Sequence, residues 1–180
     1  MKVSVIQVGE GADIHGFAIG DRVGWKWRRD VGDNFYWIAG EDGLCAKQSV
    51  SGMFNRWTFQ QYLTVPSRYL TPILDTVSSE VYAPMLCAEL TSCTALRKFT
   101  ASLGDWVVVS GAGGGLGHLV TSIAARPFGH RVVGIDYASK EDVVDESRAK
   151  IFIDVVTPGY ELVSEVKKVT NNLGANAVVV

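Results

Sequence analysis

The run Gly111-Ala112-Gly113-Gly114-Gly115-Leu116-Gly117, followed about 20 residues later by Asp136, carries the clearest chemistry in this chain. Glycines reach backbone conformations with positive φ and leave no side chain between a phosphate and the backbone N–H groups. A helix opening at Leu116 would aim its unsatisfied N–H groups and the positive end of its dipole at that phosphate. A carboxylate ending the next strand accepts hydrogen bonds from a ribose diol and repels a 2′-phosphate, which favours NAD over NADP. The candidate cofactor contacts are therefore Gly111, Gly114, Gly115, Leu116, Gly117 and Asp136. His118 follows the turn directly, either beside the phosphate or as a surface imidazole in the first helical turn.

These groups work only if strands and helices hold them. Trp106-Val107-Val108-Val109-Ser110 is a short apolar run suited to a strand buried on both faces. Leu116, Leu119, Val120 and Ile123 recur at helical spacing, and Arg131–Asp136 returns to strand character. The second half predicts strands at 106–110, 131–136, 151–155 and 175–180, with helices near 115–126, 139–147 and 159–172. Such alternation means a parallel sheet with right-handed crossovers, and Ser79 is expected to cap the helix that precedes it. Residues 1 to 75 read instead as short strands and turns. Gly20-Asp21-Arg22-Val23-Gly24 enters a strand, Phe59 to Pro66 reads as another, and residues 30–52 form a loop or lobe. Trp25 and Trp27 share one strand face, and His15 and His130 read as surface or loop residues.

Composition narrows the function classes. The 180 residues are 47% hydrophobic and 20% charged with a net charge of −2, so neither nucleic acid nor an anionic membrane is an evident partner. No apolar run approaches the roughly 20 residues of a membrane helix. Three cysteines make no disulfide framework and suit a reducing, cytoplasmic compartment.

Taken with Gly40 through Cys45, Phe59-Gln60-Gln61-Tyr62, Pro84-Met85-Leu86-Cys87-Ala88, Thr91 and Gly104-Asp105-Trp106-Val107, the chain resembles the zinc-containing medium-chain alcohol dehydrogenases, especially the fungal and yeast-like branch. The resemblance implies an α/β protein: part of a GroES-like β-rich domain over residues 1–75, then part of a Rossmann dinucleotide-binding domain over 76–180. It implies oxidation of a small alcohol, or reduction of an aldehyde, by hydride transfer with NAD and a catalytic zinc. Lys140 matches the neighbourhood of a family lysine at the adenosine ribose; a solvated helix-start lysine is the alternative. Thr91 matches a position near the nicotinamide, with a helix-surface hydroxyl as the alternative.

The metal positions depart from the family. Of three catalytic zinc ligands, only the later cysteine has a counterpart, Cys87; the other two would precede Met1. A lone thiolate cannot hold a catalytic zinc, so Cys87 is expected to be a packed thiol. The structural site follows Cys-Gly-x-Cys-x-x-Cys-x-x-Gly-x-x-x-x-Cys. Aligned on Gly32, Gly40 and Cys45, its other cysteine positions hold Val31, Asn34 and Trp37. Cys45 is then a free or weakly exposed thiol, stoichiometric zinc is not expected, and residues 30–50 form a loose loop or a lobe repacked around Phe35, Tyr36 and Trp37. Glu89 and Arg148 stand where the family has glycine, the latter at a helix C-cap.

Three readings follow: a family member truncated at both ends and catalytically impaired; a zinc-independent quinone or enoyl reductase; or a non-catalytic NAD-binding module that pairs with an intact paralogue through a sheet edge. A short-chain dehydrogenase is disfavoured, because Tyr160 is followed by Ser164 where that chemistry needs lysine.

Overall fold

The computed structural model describes residues 4–10, 16–25, 28–29, 35–39, 41, 44–50, 60–156 and 161–180. His15, Trp27, Val31, Asn34 and Phe59 lie outside them, and the side chain of Trp37 is not described. The chain packs as two units, Met1–Leu86 and Cys87–Val180.

The first unit is built from short antiparallel pairs. Strand β1 (Val23–Trp25) pairs with β4 (Leu70–Pro72), and β2 (Arg28–Arg29) with β3 (Ser49–Val50). Gly20, at φ +99°, turns the chain into β1, and Ser4 bridges Arg22 beside it. The Arg22 guanidinium then donates to the carbonyls of Leu74 at 3.0 Å and Val77 at 2.9 Å, fixing the connector after β4. The strand expected over 59–66 does not form among residues 60–66; the chain enters a 3₁₀ turn at Ser67–Tyr69 and pairs only from Leu70. Between β2 and β3 lies one helical turn, α1 (Phe35–Ile38), whose Phe35 is 77% exposed and touches Tyr36 edge to face. Phe35 and Tyr36 therefore do not form the centre of a repacked lobe. Cys45, expected to be a free or weakly exposed thiol, is buried.

Ser78, one residue before the expected cap, accepts a 3.4 Å hydrogen bond from the Val81 N–H and starts α2 (Ser79–Pro84). Pro84 has no N–H to continue the ladder, and the backbone passes into a π turn over Met85–Glu89 before α3 (Leu90–Arg97).

The second unit holds the parallel sheet. Its strands are β5 (Trp106–Ser110), β6 (Arg131–Asp136), β7 (Ile151–Asp154) and β8 (Ala177–Val179), in the order β7-β6-β5-β8. Helices α4 (Gly117–Ala125), α5 (Glu141–Glu146) and α6 (Leu162–Val169) connect them. The α/β fold expected from the alternation is thus present, with β5 and β6 at their expected limits. Val107, Val109 and Val132 pack on one face with Val120, Ala124, Val144 and Leu96. Trp106, Val108, Val133 and Ile135 pack on the other with Ile153, Val166 and Val169. Burial on both faces is why β5 reads as an unbroken apolar run. Asn176 registers β8: its N–H donates to the Trp106 carbonyl at 2.8 Å, and its Oδ1 accepts from the Trp106 N–H at 3.2 Å.

Candidate functional site

The turn between β5 and α4 lies at the C-terminal end of the sheet, where open α/β folds place ligands. Each glycine does something different. Gly111 has φ +67° and accepts a 2.9 Å hydrogen bond from the Gly114 N–H, which closes the turn. Gly117 lies under that turn, where an added Cβ would run into the Gly111 carbonyl and come within 2.8 Å of Ala112 Cα. Only glycine lets the helix start this close to the strand. Gly115 has no neighbour within 4 Å of an added Cβ, so the space above it is open. Leu116, the N-cap of α4, is 51% exposed beside it. The first turn of α4 carries no acidic side chain to oppose an anion.

Asp136 ends β6 facing this turn. Its Oδ2 accepts from the Gly113 N–H at 2.8 Å, and its Oδ1 accepts from the Tyr137 N–H at 2.8 Å. Two N–H donors fix the carboxylate plane, and each oxygen keeps a further lone pair for a diol. Gly113, passed over among the candidate contacts, is the residue that orients the acid. A Cβ on Gly113 would lie 2.6 Å from Lys140 Cβ and 3.3 Å from Asp136 Oδ2, so its lack of a side chain lets β6 and the following 3₁₀ turn close on the glycines. The signal was its place in the middle of the run. Lys140 caps α5, with an exposed side chain whose Cβ packs against Gly113. Thus Gly111, Gly113, Gly117, Asp136 and Lys140 come together around one turn, with Gly114, Gly115 and Leu116 on its outer side.

His118 does not point a free Nδ1 at this space. That nitrogen donates to the Gly114 carbonyl at 2.8 Å, which fixes the proton on Nδ1. His130, expected at the surface, is buried: its Nδ1 donates to the Ser102 carbonyl at 3.0 Å, and its ring stacks on Phe128 with centroids 5.9 Å apart.

Of the expected metal positions, the described side chains are those of Cys45 and Cys87. Cys87, expected to pack, is exposed on the π turn. Cys45 belongs to the other unit. Thr91 is an exposed residue of α3. Among the described residues, no three His, Cys, Asp or Glu side chains gather closely enough to hold a metal ion.

No protein-family model matches the chain. Known proteins do. Over 183 residues, 98% of this chain, it is 45% identical to alcohol dehydrogenase 2 of Emericella nidulans. An alcohol dehydrogenase of Schizosaccharomyces pombe is 35% identical over 178 residues, again 98% of this chain. The crystal structure of an NAD-dependent alcohol dehydrogenase superposes with a TM-score of 0.87 at 28% identity, over 98% of this chain and 51% of that one. The chain is similar to alcohol dehydrogenases over nearly its whole length. It spans about half the length of the curated relatives it matches, 50% of the Emericella protein and 49% of the Schizosaccharomyces one. The solved structure of an alcohol dehydrogenase from Thermus sp. ATN1 superposes with a TM-score of 0.83 at 25% identity. No helix among the described residues is long and apolar enough to cross a membrane.

Proposed function

We propose that this chain binds NAD at the 111–117 turn and Asp136, within the alcohol–aldehyde interconversion for which its relatives are named, and that its own residues do not supply that reaction's zinc. The observation that carries the first part is the carboxylate of Asp136, oriented by the Gly113 and Tyr137 N–H groups at the edge of open space above Gly115. Those residues fit an adenine dinucleotide. Asp136 would accept from both hydroxyls of the adenosine ribose, and the backbone of Gly114, Gly115 and Leu116 would meet the pyrophosphate. When bound, NAD supplies the hydride acceptor. The chain's residues orient it and, through the negative charge of Asp136, reject a 2′-phosphate. Lys140 extends from the same turn and would reach the ribose edge.

The zinc positions do not fit a metal. Val31, Asn34 and Trp37 offer no thiolate where a four-cysteine site needs one, and Cys87 stands without two further donors beside it among the described residues. No catalytic step is therefore assigned to Cys87, Cys45 or Thr91. The three cysteines are consistent with a reducing compartment.

Thermal unfolding of the chain with and without NADH tests the cofactor site. Ligand at about 100 times Kd stabilises by about 2.7 kcal/mol, several degrees in Tm. The rise is expected to vanish in Asp136→Ala and to be much smaller with NADPH. A flat response of the wild-type chain to NADH would refute the site. Turnover of ethanol by the purified chain with added zinc would refute the second part.

A further inference from the structure

A second concave surface lies at the opposite end of the sheet from the glycine turn. It is an open basin of about 550 Å³ lined by Ala125, Arg126, His130, Arg131, Arg148 and Lys150. Four of the six lining residues are permanent cations, and none is an acid, in a chain whose net charge is −2. Each cation leaves the backbone from a fixed point. Arg126 is the C-cap of α4, and its N–H donates to the Ser122 carbonyl at 3.1 Å. Arg131 opens β6, its N–H on the Asp105 carbonyl at 2.8 Å and its guanidinium 5.6 Å over the Trp106 ring. The Arg148 N–H donates to the Asp145 carbonyl at 2.8 Å, and the Lys150 N–H to the Val132 carbonyl at 2.8 Å.

Simple charge balance does not account for the cluster. Asp105, Asp145 and Glu146 are the nearby acids along the chain, yet none of the four cations is ion-paired among the described residues. The C-terminal ends of α4 and α5 each present a partial charge of about −0.5, which offsets about one cation of the four. Arg148 is also in the left-handed region at φ +72°, where a non-glycine residue is strained. A long cation is held there although glycine would fit the backbone better. Buried His130 closes the wall, its ring fixed by the Ser102 carbonyl and by Phe128.

We propose that this basin is a second anion site, for a small ligand bearing two or more phosphate groups. The basin is large enough for a diphosphate together with the group that carries it. Arg126, Arg131 and Arg148 would bind phosphate oxygens through paired N–H donors, and Lys150 as a point charge. A compact multivalent anion matches four cations around one cavity better than nucleic acid does, since a duplex needs cations spread along a groove and the rest of the chain is acidic.

The test is calorimetric titration of the 180-residue chain with inorganic pyrophosphate, repeated with Gly115→Ala and with the double variant Arg148→Gly/Lys150→Gln. Glycine relieves the backbone at position 148, so that variant is expected to fold at least as well as the wild type. The expected result is saturable binding that weakens at least tenfold in the double variant and is unchanged in Gly115→Ala, while the double variant keeps its NADH response. Equal pyrophosphate affinity in wild type and double variant would overturn the proposal. So would loss of pyrophosphate binding in Gly115→Ala, which would place the anion at the glycine turn. Binding of a 20-base-pair DNA duplex without binding of pyrophosphate would also overturn it, in favour of a nucleic-acid surface. The double variant leaves the cofactor turn intact, so failure here is distinct from failure of the NAD site.

Discussion

The two units solve the same packing problem by different means. In Cys87–Val180, four strands share one sheet whose central members are buried on both faces, and position is held by many apolar contacts at once. In Met1–Leu86, strands of two or three residues pair two at a time, and much of the ordering runs through single polar side chains such as Arg22. Among the described residues, the Trp25 Nε1 and Tyr69 hydroxyl of that unit are buried without hydrogen-bond partners, a cost that a denser polar network would remove. Redundant packing tolerates a lost contact; a hub does not. The comparison also explains why the candidate cofactor turn sits where it does. A ribose carboxylate must be held to within a fraction of an ångström, and β5 and β6 provide that rigidity.

The sharpest way to break the comparison is to force a side chain into the tight corner of the sheet unit. Gly117→Val drives atoms into the Gly111 carbonyl and is expected to cost about 3 kcal/mol or more, read as a fall in the denaturant midpoint. An unchanged midpoint would mean that the turn relaxes freely and the sheet is less rigid than argued. In the other unit, Arg22→Ala removes donors to Leu74, Val77 and, at 3.4 Å, Asp75. A loss of about 2 kcal/mol is expected, with faster proteolysis around residues 73–79. Thr121 tests the opposite sign: its hydroxyl is fully buried with no partner among the described residues, so Thr121→Val should stabilise the sheet unit by about 1 kcal/mol in the same denaturant series. The smallest effect on stability belongs to Gly115→Ala, within about 0.5 kcal/mol, because nothing lies near the new methyl. That variant should nonetheless lose much of the NADH-dependent rise in Tm, since the methyl occupies the space proposed for pyrophosphate. Retained NADH binding in Gly115→Ala would move the phosphate elsewhere along the turn.

Legibility in the sequence follows the same division. Trp106–Ser110 and Arg131–Asp136 were readable to the residue, because a strand covered on both faces needs a continuous apolar run and the flanking glycines mark its end. Arg148 was expected at a helix C-cap; the cap is Ser147, and Arg148, one residue on, takes the left-handed conformation that glycine usually supplies there. The strand expected over 59–66 was wrong for a physical reason. Tyr62, Leu63, Thr64 and Val65 have strand-forming side chains, but the partner β1 aligns with Leu70–Pro72 instead. Cys87 was misread because the lack of partner ligands says nothing of burial: the thiol lies exposed on a π turn. His130 carried no periodic signal; only the aromatic rings Phe128 and Phe99, brought around it by folding, make it an interior residue. The role of Gly113 in orienting Asp136 needed coordinates, since it depends on which N–H points back across the turn.

The strand order β7-β6-β5-β8 has a consequence for vectorial synthesis. β6 and β7 follow β5 closely along the chain, but the other neighbour of β5 is registered by Asn176, 70 residues after Trp106. At about 5–20 residues per second, a ribosome takes roughly 4–14 seconds to make that stretch. Throughout that interval the most apolar strand of the sheet leaves the exit tunnel with one hydrogen-bonding edge bare, which makes Trp106–Ser110 the segment a nascent-chain chaperone would have most reason to shield.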